Sequence, residues 1–127
     1  MREIKFRAWL KRRKTKIMCK VTMIDFDLKR AYLVDTKRGI ELGWYDFDEI
    51  ELMQYTGLKD NNYDEIYEGD IVEILTEVEE YGVVKFEDGA FYVEADGFRV
   101  NFYDNIRGGD VLVIGNIYEN KELLGNV

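Results

Sequence analysis

Short segments in which apolar and polar residues alternate recur along the chain, joined by tight turns at spacings of about ten residues. The first is Ile4–Trp9, which puts Ile, Phe and Ala on one side and Lys, Arg and Trp on the other. Further on, Asp88-Gly89 separates two such segments, and Asp-Gly is among the strongest short hairpin signals. The spacing predicts an all-β fold with at most a short helical turn.

The stretch Gln54–Val72 separates the predicted strands into two groups. Residues 1–55 are expected to form an N-terminal β subdomain with a basic hairpin. Residues 56–127 are expected to form a C-terminal subdomain resembling a small SH3-like barrel. We expect the two to pack as one compact unit, because 127 residues suit one domain or two small lobes with a shared core.

Two further segments bear on the strand pattern. Asp46–Gln54 fits either a short capped helix or a turn followed by a strand, and the alternation of Ile50 and Leu52 favours the strand. Val111–Ile114 is apolar throughout, which predicts a central strand covered on both faces. Gly115 interrupts that strand, which predicts a β-bulge.

Four residues of the central stretch are predicted to specify turns rather than to carry chemistry. Gly57 and Gly69 stand at breaks in the strand pattern, where glycine tolerates a positive φ. Asp60 opens a polar turn, and Asp70 follows Gly69, where its carboxylate is expected to bind backbone amides. Replacement of Gly69 by valine is therefore expected to damage folding.

The acidic residues of the same stretch suggest a calcium site. Asp60, Asn62 and Asp64 stand at the first, third and fifth positions of a calcium-loop pattern. The pattern then fails, because Glu65 occupies the glycine position and Ile71 occupies the position of the bidentate glutamate. We predict a solvated acidic hairpin here, with no metal and no cofactor.

The chain contains no histidine and a single cysteine. Without imidazole, acid–base chemistry would need carboxylates, lysine or tyrosine. Cys19 shares an apolar strand face with Ile17, Val21 and Met23, which predicts a small buried core residue. No apolar run approaches the roughly 20 residues that span a bilayer, and no signal-peptide apolar region follows the basic N-terminus. We expect a cytoplasmic protein without membrane partners.

Charge is distributed very unevenly. Residues 1–20 hold nine basic residues and one acidic residue, a net +8, and the whole chain carries −8, so residues 21–127 carry −16. Such asymmetry is typical of a basic arm for nucleic acid, and equally of a basic edge that meets acidic neighbours. The candidate contact residues for nucleic acid or a partner protein are Lys5, Arg7, Trp9, Lys11, Arg12 and Arg13.

Three sequence blocks resemble the YopX family of phage- and prophage-encoded proteins. They are Met1–Trp9, the central block (Gln54–Asp60 with Glu65–Val72) and Val113–Asn120. The chain departs from the family pattern at Leu10, Tyr63 and Lys121, where the family tends to have Asp, Gly and Pro. The resemblance implies a β-rich fold, a phage origin in a bacterial host cell and self-association. It supplies no established activity and no catalytic residues.

Three classes of function are compatible with these observations. The first is a non-enzymatic protein-binding or assembly module, with a host protein, a phage protein or a second copy as partner; the absence of a catalytic constellation favours it. The second is nucleic-acid binding through the basic hairpin, which the acidity of the remaining chain opposes. The third is an enzyme with paired carboxylates, Asp64 with Glu68 or Asp70.

Overall fold

The computed structural model describes residues 3–11, 16–76 and 80–125. These residues are mainly β, arranged in antiparallel sheets, and contain three short 3₁₀ turns but no α-helix. The all-β prediction is confirmed. None of the described residues belongs to a helix long and apolar enough to cross a membrane.

The strands, in chain order, are β1 Phe6–Leu10, β2 Ile17–Asp25, β3 Arg30–Asp35, β4 Ile40–Asp46, β5 Ile50–Lys59, β6 Glu65–Tyr67, β7 Asp70–Ile74, β8 Glu80–Glu87, β9 Ala90–Ala95, β10 Phe98–Asn101 and β11 Val111–Asn116. The 3₁₀ turns are Phe47–Glu49, Gly108–Asp110 and Lys121–Leu124. Among the described residues, Glu3–Gln54 form one compact unit and the residues from Tyr55 onward form a second. We refer to them as the N-terminal and C-terminal units.

In the N-terminal unit the strands follow the order β4–β3–β2–β1, with the first half of β5 beside β1. Every neighbouring pair is antiparallel. The strand alternation places small and branched apolar side chains on one face, where they form a core. Its buried members are Ala8, Leu10, Cys19, Ala31, Leu33 and Ile50. Cys19 is thus a buried core residue, as its apolar strand face predicts.

In the C-terminal unit five strands form a sheet in the order β10–β9–β8–β7–β11, and the second half of β5 pairs with β6. The sheet is open among the described residues, since no ladder joins β10 to β11, so the barrel-like subdomain is not a closed barrel. The buried core of this unit consists of Ile66, Val72, Ile74, Val84, Val93, Ala95, Phe102, Ile106 and Val111.

The turn after β5 is held by one buried carboxylate. Asp60 accepts backbone N–H bonds from Asn62 at 2.8 Å and Asp64 at 2.9 Å through Oδ1, and from Val113 at 2.8 Å through Oδ2. Tyr63 adopts a left-handed conformation with φ of 64° in the same turn. Both carboxylate oxygens of Asp60 therefore face backbone amides and fix the turn.

A second carboxylate holds the turn between β6 and β7. The buried Asp70 accepts the backbone N–H of Tyr67 at 2.7 Å. Gly69 has φ of 88° and Gly57 has φ of 84°, values that favour glycine because a Cβ would meet the backbone. The N–H of Gly69 donates to Val84 O at 2.8 Å, and its carbonyl accepts from the N–H of Ile117 at 3.0 Å.

Candidate protein-binding site

The basic and aromatic face of β1 has the alternation that the sequence predicts. Arg7 and Trp9 are half-buried, whereas Ala8 and Leu10 on the opposite face are fully buried in the core of the N-terminal unit. Arg7 lies opposite Lys20 of β2 and Met53 of β5 in the two ladders. The backbone thus places the predicted contact residues of β1 on one face of the sheet.

Neighbouring carboxylates engage the lysines at both ends of this face. Lys11 Nζ lies 2.9 Å from Glu51 Oε1, and Lys5 Nζ lies 3.3 Å from Glu3 Oε1. These ion pairs correspond to a basic edge that meets acidic neighbours within the same unit. Arg12 and Arg13, the remaining predicted contacts, lie outside the described residues.

A sheet edge opens where β1 begins. Among the described strands, the β1–β2 ladder stops at the pair Arg7–Lys20, but β2 continues to Asp25 with β3 on its other side. A β-bulge in β2 between Val21 and Met23 accompanies this change. Bulges bend a strand and increase its twist, which alters the direction of the edge that follows.

An apolar groove of about 280 Å³ lies along this edge, and we call it the β2-edge groove. It is lined by Ile4, Lys5, Phe6, Val21, Thr22, Met23, Ile24 and Phe26. Ile4 is 70% exposed, Met23 49% and Phe26 72%, and Leu28, two residues after Phe26 in the chain, is exposed as well. Contiguous exposed apolar side chains of this kind mark interaction surfaces.

The turn from β2 to β3 presents Phe26 and Leu28 to solvent. The N–H of Leu28 donates to Asp25 Oδ1 at 3.0 Å, and Lys29 closes the turn with φ of 53°. The alternation of apolar and polar residues does not by itself mark Phe26 or Leu28 as part of a site. The available signal was the pair of large apolar residues inside an otherwise charged turn, since hairpin turns are usually built from polar residues and glycine.

An aromatic cluster joins β3 and β4, the two strands at the edge of the N-terminal sheet away from β1. Tyr32 and Trp44 stack edge to face with ring centroids 5.5 Å apart, and the guanidinium of Arg30 lies 4.4 Å from the Trp44 ring centroid. The Tyr32 hydroxyl donates to Glu41 Oε1 at 3.0 Å. This hydrogen bond raises the pKa of Tyr32 above its usual 10.0, with smaller contributions from burial and from the charge of Glu41.

A similar cluster joins β8, β9 and β10 in the C-terminal unit. Arg99 lies over the Tyr92 ring at 3.8 Å from its centroid, and the Tyr92 hydroxyl donates to Glu87 Oε2 at 2.8 Å. The hydrogen bond to Glu87 is the main cause that raises the pKa of Tyr92, and Arg99 opposes it. Both clusters are cross-strand pairs that stabilise a sheet.

Carboxylates come together at the turn before β5. In the described part of the chain, Asp46, Asp48 and Glu49 have oxygens within 4.8 Å of one another. Oxygen donors suit hard cations, but Ca²⁺ takes six to eight of them. The backbone N–H of Asp46 donates to Glu49 Oε1 at 3.2 Å, which assigns that carboxylate to closing the turn.

The carboxylates proposed for an enzymatic pair differ in their surroundings. Asp64 is exposed, Glu68 is half-buried and Asp70 is buried with the backbone amide of Tyr67 as donor. Neither Glu68 nor Asp70 lines the β2-edge groove. The geometry assigns Asp70 to the turn before β7.

The family model for the YopX protein matches residues 5–125. The chain belongs to the YopX family. The match includes the central and C-terminal sequence blocks and most of the N-terminal one, so the family resemblance is confirmed. The YopX chain is also similar to a solved structure, the crystal structure of protein EF1440 from Enterococcus faecalis, with 28% identity and a TM-score of 0.64 over 98% of this chain and 99% of that one. No curated protein matches the sequence.

Proposed function

We propose that this YopX protein is a non-enzymatic binding module that holds an extended segment of a partner protein in the β2-edge groove. The observation that carries the proposal is the coincidence of an apolar groove with a strand edge that lacks a ladder partner among the described strands. The segment would join the sheet as an added strand beside Thr22–Asp25.

Strand addition supplies affinity through the backbone and specificity through side-chain pockets. Proteins usually protect sheet edges with charge, proline or a covering loop, because an open edge pairs with other chains. Here the edge is bordered by apolar side chains, with Ile4, Met23 and Phe26 all substantially exposed. Alternate residues of an added strand would meet this groove, so the expected partner segment carries apolar residues at every second position.

The charge arrangement supports a protein partner over nucleic acid. Lys5 and Lys11 each lie within ion-pair distance of a carboxylate, Glu3 and Glu51 respectively. A polyanion would have to compete with these carboxylates and would meet a strongly acidic remaining chain. A partner segment in the groove requires no such exchange.

The test begins with a random peptide library selected on the purified protein, followed by fluorescence anisotropy with the recovered peptides. Phe26→Asp is the decisive variant, because Phe26 is 72% exposed and contributes little to the core. Loss of an apolar contact in the centre of an interface costs about 2 kcal/mol, so we expect binding to weaken about thirtyfold.

Tyr63→Asp is the matched control, since Tyr63 is also largely exposed but belongs to the turn before β6. It should bind the selected peptides as the unmodified protein does. Selection of peptides that are equally sensitive to both substitutions, or failure to select any extended apolar peptide, would refute the proposed site.

A further inference from the structure

The C-terminal unit contains a second recess, which we call the β9 pocket. Its volume is about 200 Å³, and its lining residues include Leu58, Ala90, Phe91, Phe102 and Tyr103. Phe102 is buried, whereas Tyr103 is 68% exposed. An apolar cavity of about 150 Å³ already accepts a benzene molecule. The β9 pocket therefore has room for one aromatic or large aliphatic side chain.

Two turns with defined geometry border the β9 pocket. One is the Asp88-Gly89 hairpin turn between β8 and β9, in which Asp88 has φ of 54°. The other follows β10, where Tyr103 has φ of 73° and its N–H donates to Ile106 O at 2.7 Å. Because hydrogen bonds fix the second turn, the backbone that carries the exposed ring of Tyr103 has a defined conformation.

The surroundings of the pocket are acidic. Asp88 precedes the lining residue Gly89, and Asp104 follows the lining residue Tyr103; both aspartates are exposed. Lys59, next to Leu58, is the only cation among the immediate chain neighbours of the lining residues. Residues 55–127 contain 17 acidic and 5 basic residues, a net charge of −12. A field of this sign attracts cationic partners and repels nucleic acid and acidic proteins.

From the pocket and its charge we infer a second binding site, one that takes a large apolar side chain flanked by lysine or arginine from a basic partner protein. The apolar side chain enters the β9 pocket between Ala90 and Tyr103. The flanking cations lie near Asp88 and Asp104, and the Tyr103 ring offers them a cation–π contact. This site rests on different residues from the β2-edge groove and does not depend on the function proposed for it.

The probe is a fluorescein-labelled pentapeptide with a central tryptophan and two basic residues on each side. Titration of the ¹⁵N-labelled protein should shift the amides of Leu58, Ala90, Phe91 and Tyr103, with saturable binding by anisotropy. Two control peptides replace the tryptophan by alanine or the basic residues by glutamate. Both should bind at least tenfold more weakly, because each lacks one of the two contributions.

Asp88→Asn and Asp96→Asn form a matched pair of variants. Both aspartates precede glycine in hairpin turns and have positive φ, which asparagine also tolerates. Asp96 follows Ala95 at the opposite end of β9, and Ala95 lies about 17 Å from Ala90 at the usual rise per strand residue. Asp88→Asn should weaken binding about threefold, whereas Asp96→Asn should leave it unchanged.

Three results would overturn the inference. The first is equal binding of the alanine peptide, which would show attraction by charge alone. The second is a set of amide shifts that excludes Ala90, Phe91 and Tyr103. The third is an equal loss of affinity in Asp88→Asn and Asp96→Asn, which would show that the net charge of the unit acts without a specific site.

Discussion

Removal of the Asp60 side chain should destabilise the protein more than removal of any neighbouring acidic side chain. Asp60 is 3% exposed, and its carboxylate accepts three backbone amides, from Asn62, Asp64 and Val113, at 2.8–2.9 Å. The last of these bonds joins residues 53 positions apart in the sequence. In Asp60→Ala these three donors lose their acceptor together.

The magnitude follows from the number of bonds. A hydrogen bond to a charged acceptor contributes about 1.5–3 kcal/mol net, and bonds to one carboxylate are not additive. Water can reach part of the exposed turn, which lowers the cost further. We therefore expect a loss of about 3–5 kcal/mol, the range of a broken buried network. For a chain of this length that corresponds to a fall in Tm of about 12–20 °C.

Thermal and urea unfolding followed by circular dichroism would measure the effect. Asp64→Ala is the control, because Asp64 is exposed and its replacement removes the same charge from the same turn. It should change the free energy of unfolding by less than about 0.5 kcal/mol. Equal melting temperatures for Asp60→Ala and Asp64→Ala would refute the assignment of Asp60 as the acceptor that holds this turn.

Two further predictions concern stability. Hydrogen bonds to Glu41 and Glu87 raise the pKa values of Tyr32 and Tyr92 in the folded state, so the stability that these two hydrogen bonds contribute is complete below pH 10 and is lost as the pH rises further. Urea unfolding below and above pH 10 should therefore show a smaller fall in the free energy of unfolding when both tyrosines are replaced by phenylalanine. An equal fall in the variant and the unmodified protein would contradict this. Gly69→Ala should lower the free energy of unfolding by about 1–2 kcal/mol, because the backbone φ at this position is 88°. Gly109→Ala is the control and should lower it little, because there is open space for a Cβ at Gly109. Similar urea midpoints for the two variants would argue against backbone strain at Gly69.

Local pattern was sufficient for several features of the fold. The Asp88-Gly89 turn joins β8 to β9, and the predicted bulge at Gly115 is confirmed by the register shift between Val113 and Gly115. The favoured interpretation of Asp46–Gln54, a turn followed by a strand, agrees with the 3₁₀ turn that precedes β5. These features depend on residues close in sequence, where alternation and turn chemistry act directly.

The order of strands depends on pairing between distant segments and could not be obtained in the same way. Val111–Ile114 was predicted to be a central strand, and this is wrong, because β11 lies at the edge of its sheet beside β7. Only Val111 of this apolar segment is buried, and Leu112, Val113 and Ile114 are half-buried, so an apolar run does not by itself indicate a central position in the sheet. The hydrogen bond from the Val113 N–H to the Asp60 carboxylate cannot be inferred from local sequence either, because the two residues lie 53 positions apart.

The β2-edge groove illustrates the same difference at the candidate site. The sequence indicated a basic and aromatic face on β1, and Arg7 and Trp9 do share that face. It gave no indication that the β1–β2 ladder stops at Lys20 and leaves Met23 beside Phe26 in solvent. The length of a ladder is decided by where the partner strand begins, which hydrophobic alternation does not report.

Nuclear Overhauser contacts between a selected peptide and the backbone of β2 would test strand addition most directly. The proposal predicts cross-strand contacts from the peptide to Thr22–Asp25, together with slower amide exchange in that segment when the peptide is bound. Contacts confined to the face of Arg7 and Trp9, with unchanged exchange in Thr22–Asp25, would contradict it.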